Sequence, residues 1–130
     1  MITPLYAAVL ALLFIALSVR TIAARRALRI AVGDAGNPEM LRRMRVHANF
    51  AEYVPLTLLL IYMLEMQGAP PWLLHGLCLC LLAGRFSHAY GVSQVAEQFG
   101  YRVFGMAMTF TALGGSALVL LVAQVWRRFF

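Results

Sequence analysis

Arg45, Asn49 and Glu52 stand at positions i, i+4 and i+7. On a helix that spacing puts all three on one face. Their types could do chemistry together. A guanidinium offers planar forked donors to a carboxylate, an amide both donates and accepts, and a carboxylate accepts from an ammonium group. Tyr53 and Pro55 follow at once, and the stripe opens an apolar segment. Polar groups carried to membrane depth are expensive unless they are paired or wetted. A segment that takes such a stripe into hydrocarbon is expected to use it, so the stripe predicts a binding or catalytic site built from membrane helices.

The elements that must position this stripe are legible in the composition. Hydrophobic residues make up 62% of the 130, and charged residues only 12%, where soluble domains run near a quarter charged. Four apolar stretches run from about Leu5 to Ala24, Phe50 to Met66, Trp72 to Tyr90 and Val103 to Trp126. Each approaches the ~20 residues that span ~30 Å of hydrocarbon at 1.5 Å per residue. The expectation is an all-α integral membrane protein. It is read as one domain over residues 1–130, a bundle of four transmembrane helices. Met1 to Pro4 carries no Lys or Arg, and the first apolar run is longer than a signal core. That segment is therefore read as a retained span.

All 11 basic residues are arginine, and the formal charge is +6. Their placement argues for topology rather than nucleic acid. Arg20, Arg25, Arg26, Arg29, Arg42, Arg43 and Arg45 lie between or at the ends of the first two spans, and Arg85 and Arg102 flank the connection between the third and fourth. The turn Gln67-Gly68-Ala69-Pro70-Pro71 has none. The positive-inside rule then sends the two arginine-bearing connections to the cytoplasm and both termini outward, with Arg127 and Arg128 against the pattern. Gly33 to Glu39 holds turn chemistry, with Asn37 as an N-cap and Pro38 in the first turn of the second helix. That helix is expected to start near Pro38 and to enter the membrane near His47. Gly84, Gly91 and Gly100 are read as punctuation at the end of the third helix and the next loop. Gly105, Gly114, Gly115 and Ser116 are read as a site of close helix approach.

Several chemistries find no support. Cys78 and Cys80 at i, i+2 point to different sides of a helix and lack neighbouring ligands, so they are read as packing residues. His75 stands alone in an apolar run. No Ser/His/Asp arrangement and no phosphate-cradling glycine loop occurs. His88 does share a helix face with Arg85, three residues earlier. Several arginines beside one Asn/Glu pair suit a small polar anion with two carboxylates and one amine. Glutathione is such a molecule, and apolar walls beside it would suit a lipophilic second substrate arriving from the bilayer.

The same residues carry a family resemblance. Arg45…Asn49…Glu52-Tyr53…Pro55 resembles the second-helix hallmark of the membrane-associated proteins in eicosanoid and glutathione metabolism, the MAPEG family. Ile22-Ala23-Ala24-Arg25-Arg26-Ala27-Leu28-Arg29 resembles the first-helix end of its leukotriene C synthase members. Gly84-Arg85…His88 resembles the third-helix motif of its prostaglandin E synthase and microsomal glutathione transferase members. Tyr101-Arg102 resembles the position of the family's late arginine. The resemblance covers nearly the whole chain.

It implies a homotrimer of four-helix subunits with glutathione as co-substrate, no metal, and an enzyme of transferase or peroxidase type. By position, Arg45, Asn49, Glu52 and Tyr53 would hold glutathione. Arg25 or Arg26, and Arg85, would serve its carboxylates or the edge of the site, with His88 and Tyr90 nearby. Arg102, with Arg26, would sit near the thiol and favour the thiolate. Family members usually carry a tyrosine seven residues after the third-helix arginine; here that position is Val92, and the nearby tyrosine is Tyr90. The arginine-only composition fits a bacterial inner-membrane member. Two other readings are a member that binds glutathione or lipid without catalysis, and a small four-helix exporter. An exporter would need an acidic residue buried mid-membrane for proton coupling; the first span has none, and Glu65 lies near an outer end.

Overall fold

In the computed structural model, which describes residues 1–94, 96 and 98–129, the chain forms four helices. They are α1 (Thr3–Leu28), α2 (Pro38–Met66), α3 (Pro71–Ser93) and α4 (Phe99–Phe129). Each covers one of the four apolar stretches. The helices run up and down, so the α1–α2 and α3–α4 connections share one end of the bundle.

Local chemistry sets the boundaries. Arg29 leaves α1 in the left-handed region at φ 55°, and its backbone N–H closes the last turn on Arg25 and Arg26 carbonyls. Gly33 and Gly36 take φ +69° and +71°, and Asp34 Oδ1 accepts from Gly36 N. Asn37 is the N-cap of α2: its Oδ1 accepts from Met40 N at 3.0 Å, and Pro38 fills the first position. At the other end of the bundle the Glu65 carboxylate accepts from Ile2 N and, at 2.9 Å, from Thr3 N. A carboxylate on these orphan donors caps α1 and complements its dipole. Glu65 is thus a helix cap.

α1 and α4 are long and apolar enough to cross a membrane, and only 17% of the most apolar stretch of each is buried. The core helix of a soluble protein would be mostly buried. These faces, with Leu12, Ile15 and Val19 on α1 and Leu118, Leu121 and Val122 on α4 exposed, need an apolar surrounding. Leu10, Leu17, Val46, Phe50, Val54 and Leu81 knit the middle of the bundle, and Cys78 packs with Ile61, Leu64, Leu74 and Leu77 nearer the end that holds Glu65.

The tightest packing is between α3 and α4, and here the glycine expectation needs correction. Gly84 lies well inside α3 and Gly91 in its last turn, and both are contact positions rather than helix stops. A Cβ on Gly84 would sit 2.8 Å from Gly105 O and Thr109 Oγ1, and one on Gly91 would sit 2.8 Å from Arg102 N. Backbone lies against backbone at these positions, which only glycine allows. On α4 the close approach is at Gly105; Gly114 has open space, and Gly115 meets only Leu77 at 3.3 Å. Gly100 belongs to the first turn of α4, which begins at Phe99, so Arg102 stands inside the helix near its start.

Candidate functional site

The end of the bundle where α2 and α4 begin holds an open cleft of about 280 Å³. Three helices build it. α2 supplies Arg42, Arg45 and Asn49, α3 supplies His88 and Val92, and α4 supplies Arg102. Pro38 and Leu41 form its apolar side. Glycine packing makes this possible: Gly91 against the Arg102 backbone draws the start of α4 onto the end of α3, which brings Arg102 and His88 to one wall. His88 is buried, while Arg45 and Arg102 stay exposed at the rim.

Beneath the cleft lies Arg85, 2% exposed. Its Nη1 donates to Asn49 Oδ1 at 2.6 Å, its Nη2 donates to Thr109 Oγ1, and the same Nη2 lies 3.6 Å from Met106 Sδ. Its guanidinium carbon sits 5.9 Å from the centre of the Tyr53 ring, within cation–π range. The Tyr53 ring meets Phe110 edge-on at 5.4 Å. A polar knot of Asn49, Arg85 and Thr109 therefore ties α2, α3 and α4 together directly under the cleft.

The structure brings four of the sequence-predicted residues to the cleft wall: Arg45, Asn49, His88 and Arg102. Arg85 and Tyr53 form the layer below. The others lie elsewhere in a single copy of the chain. Glu52 is on the exposed side of α2, one turn beyond Asn49. Tyr90 points outward and meets Tyr101 edge-on at 5.2 Å, so it does not substitute for the missing aromatic at Val92. Val92 itself lines the cleft. Arg25 donates to Gly33 O at 2.9 Å and so braces the α1–α2 loop, and Arg26 is exposed at the end of α1.

Two contributors were not singled out in the sequence. Arg42 reads there as a topology residue, yet it lines the cleft; its place three residues before Arg45 and seven before Asn49 puts it on their face, and that spacing was an available signal. Thr109 gives no such signal, because a threonine in an apolar helix looks like packing until its partner is known.

A second, wholly different hollow of about 220 Å³ lies between α1 and α2, lined by Ala7, Ala11 and Phe14 on one side and by Ala51, Val54 and Pro55 on the other. The His47 ring stacks on Phe14 at 4.7 Å, and Ser18 Oγ, which donates to Phe14 O, lies 2.9 Å from His47 Nε2. These contacts close the hollow on the side toward the α1–α2 loop.

The MAPEG family profile matches residues 3–122. The chain is 36% identical over 126 residues to the inner membrane protein YecN of Escherichia coli strain K12, spanning 97% of this chain and 92% of that protein. The protein of the same name from Escherichia coli O6:H1 strain CFT073 matches to the same identity and extent.

Proposed function

The chain belongs to the MAPEG family, and on that premise we propose that it is a glutathione-dependent enzyme of the bacterial inner membrane. Its reaction would be that of a glutathione transferase or peroxidase. The observation that carries the proposal is the convergence of Arg45, Asn49, His88 and Arg102 from three helices on one open cleft. Arg42 and Arg45 offer forked donors to the carboxylates of the tripeptide. Arg102, a permanent cation at the rim, favours ionisation of the thiol. A free thiol of pKa ~8.5 is mostly protonated at neutral pH, and a nearby cation raises the thiolate fraction. The thiol proton leaves to water at the open mouth. The sulfur then attacks the electrophilic carbon of a lipophilic substrate: a C–S bond forms, and the leaving group departs with its bonding pair.

The same proposal holds that all four helices span the membrane with the cleft end toward the cytoplasm and both termini outward, and that the chain works as a homotrimer. Glu52, exposed at bilayer depth in one copy, would be costly against lipid; a neighbouring subunit covers it and brings its Arg25 and Arg26 toward the cleft.

Calorimetry with glutathione on the purified protein in mild detergent, followed by conjugation of a chromogenic aryl halide, tests the function. Saturable binding with turnover is expected. Binding without turnover toward halides or lipid hydroperoxides would make the protein a non-catalytic binder, and no binding would overturn the proposal. Native mass spectrometry should show three copies, and a strictly monomeric active protein would refute the trimer.

A further inference from the structure

Arg85 is the most deeply buried cation in the described chain, and its surroundings constrain a second residue. A guanidinium carries five N–H donors and no acceptor. The atom of Asn49 that lies 2.6 Å from Arg85 Nη1 must therefore be the carbonyl oxygen. The oxygen and nitrogen of an asparagine amide have nearly the same shape, so its orientation is decided by its partners. Here the partner is a permanent cation that is itself fixed. Its Nη2 donates to Thr109 Oγ1, and that hydroxyl passes its own proton to Gly105 O at 2.8 Å, which leaves it only as an acceptor for Arg85. The Tyr53 ring closes the remaining side. With Oδ1 drawn down to Arg85, the Asn49 side chain turns Nδ2 toward the cleft it lines.

We propose that Arg85 is a positioning residue: it fixes the amide of Asn49 in one orientation, so that Asn49 presents its N–H donors to the cleft. Asn49 thereby favours a carboxylate or peptide carbonyl oxygen of the ligand at that point over its ammonium group. This rests on the reading of the cleft as a glutathione site and refines it, because it states which of the tripeptide's polar groups meets Asn49. It also gives Arg85 a role other than direct contact with a glutathione carboxylate: the guanidinium is buried beneath the cleft with both Nη atoms engaged, and its unpartnered Nε lies in the interior.

The experiment has two arms. The first measures glutathione affinity by calorimetry on wild type, Asn49→Ala, Arg85→Lys and the double variant. Each single change should weaken binding roughly tenfold, the size of one charge-assisted bond lost. The double variant should be no weaker than either single one, since both remove the same donor. A multiplicative loss, about a hundredfold, would mean that Arg85 contacts the ligand itself and would overturn the proposal. Asn49→Asp, which can still pair with Arg85 but shows the cleft an acceptor, should also lose binding; wild-type affinity there would overturn it as well.

The second arm needs no ligand. In ¹⁵N-asparagine-labelled protein, the Asn49 side-chain amide signal, assigned by its loss in Asn49→Ser, should shift in Arg85→Lys and in the milder Thr109→Val. An unmoved signal in both variants would overturn the proposal, with any loss of stability then marking Arg85 as packing alone. If wild type binds no glutathione, the functional reading fails, and this arm still decides whether Arg85 holds Asn49.

Discussion

Gly105→Ala tests whether the α3–α4 contact sets the geometry of the cleft. The added Cβ would lie 2.6 Å from His88 N, 2.7 Å from Gly84 O and 2.8 Å from His88 Cβ. Two of these are backbone atoms, so no side-chain rotation relieves them. Restoring ordinary contact near 3.4 Å moves the helices apart by roughly 0.8 Å at this level. Overpacking of this kind costs about 1–3 kcal/mol, and the inflexible neighbours put it in the upper half of that range. Alanine regains up to ~1 kcal/mol as a better helix former, so a net loss of about 1–2 kcal/mol is expected. Gly114→Ala is the internal control: its Cβ would meet nothing within 4 Å, so only the helix-forming gain remains, and the variant should match or slightly exceed wild type. Reversible unfolding in mixed micelles, with a denaturing detergent as the variable, measures both. Gly105→Ala should also weaken glutathione binding, because the same displacement moves Arg102 away from His88 and Thr109 away from Arg85. If Gly105→Ala is as stable as Gly114→Ala, the close-approach argument is wrong.

Three other outcomes are expected. Arg45→Ala should reduce glutathione affinity by ~1.5–3 kcal/mol, the range of a lost charge-assisted bond; unchanged affinity by calorimetry would leave Arg45 as a topology residue. Arg102→Leu should depress turnover with glutathione affinity largely kept. Its thiolate absorbance in the near ultraviolet should fall, and activity should partly return at higher pH as the thiol ionises unaided; wild-type thiolate signal and turnover would remove Arg102 from the chemistry and direct attention to Arg26. Glu65→Ala should destabilise the protein by ~1 kcal/mol through loss of the α1 cap, while leaving glutathione affinity unchanged, because Glu65 is 20 positions along α2 from Arg45, about 30 Å at 1.5 Å per residue; a loss of affinity in the folded variant would refute that separation.

The sequence by itself determined the elements and one face of the site. Apolar run length and turn chemistry are local properties, so the four helices, the Asn37 cap and the start of α2 at Pro38 could be read directly. The i, i+4 step from Arg45 to Asn49 is likewise a property of one helix, and both residues line the cleft. The family, too, was legible from the Arg45…Pro55 stretch on that one helix, and the family profile matches residues 3–122. What the tertiary structure decided were relations between helices. Whether Arg85 meets a ligand or lies beneath the site depends on how near α4 comes, and that distance is set by glycines on both helices whose pairing no periodicity reveals. The same approach made Thr109 a partner of Arg85 and moved Gly84 and Gly91 from punctuation to contact. Tyr90, two residues from Val92, faces away from the cleft because successive helical positions turn by about 100°, so nearness in sequence does not supply a missing side chain.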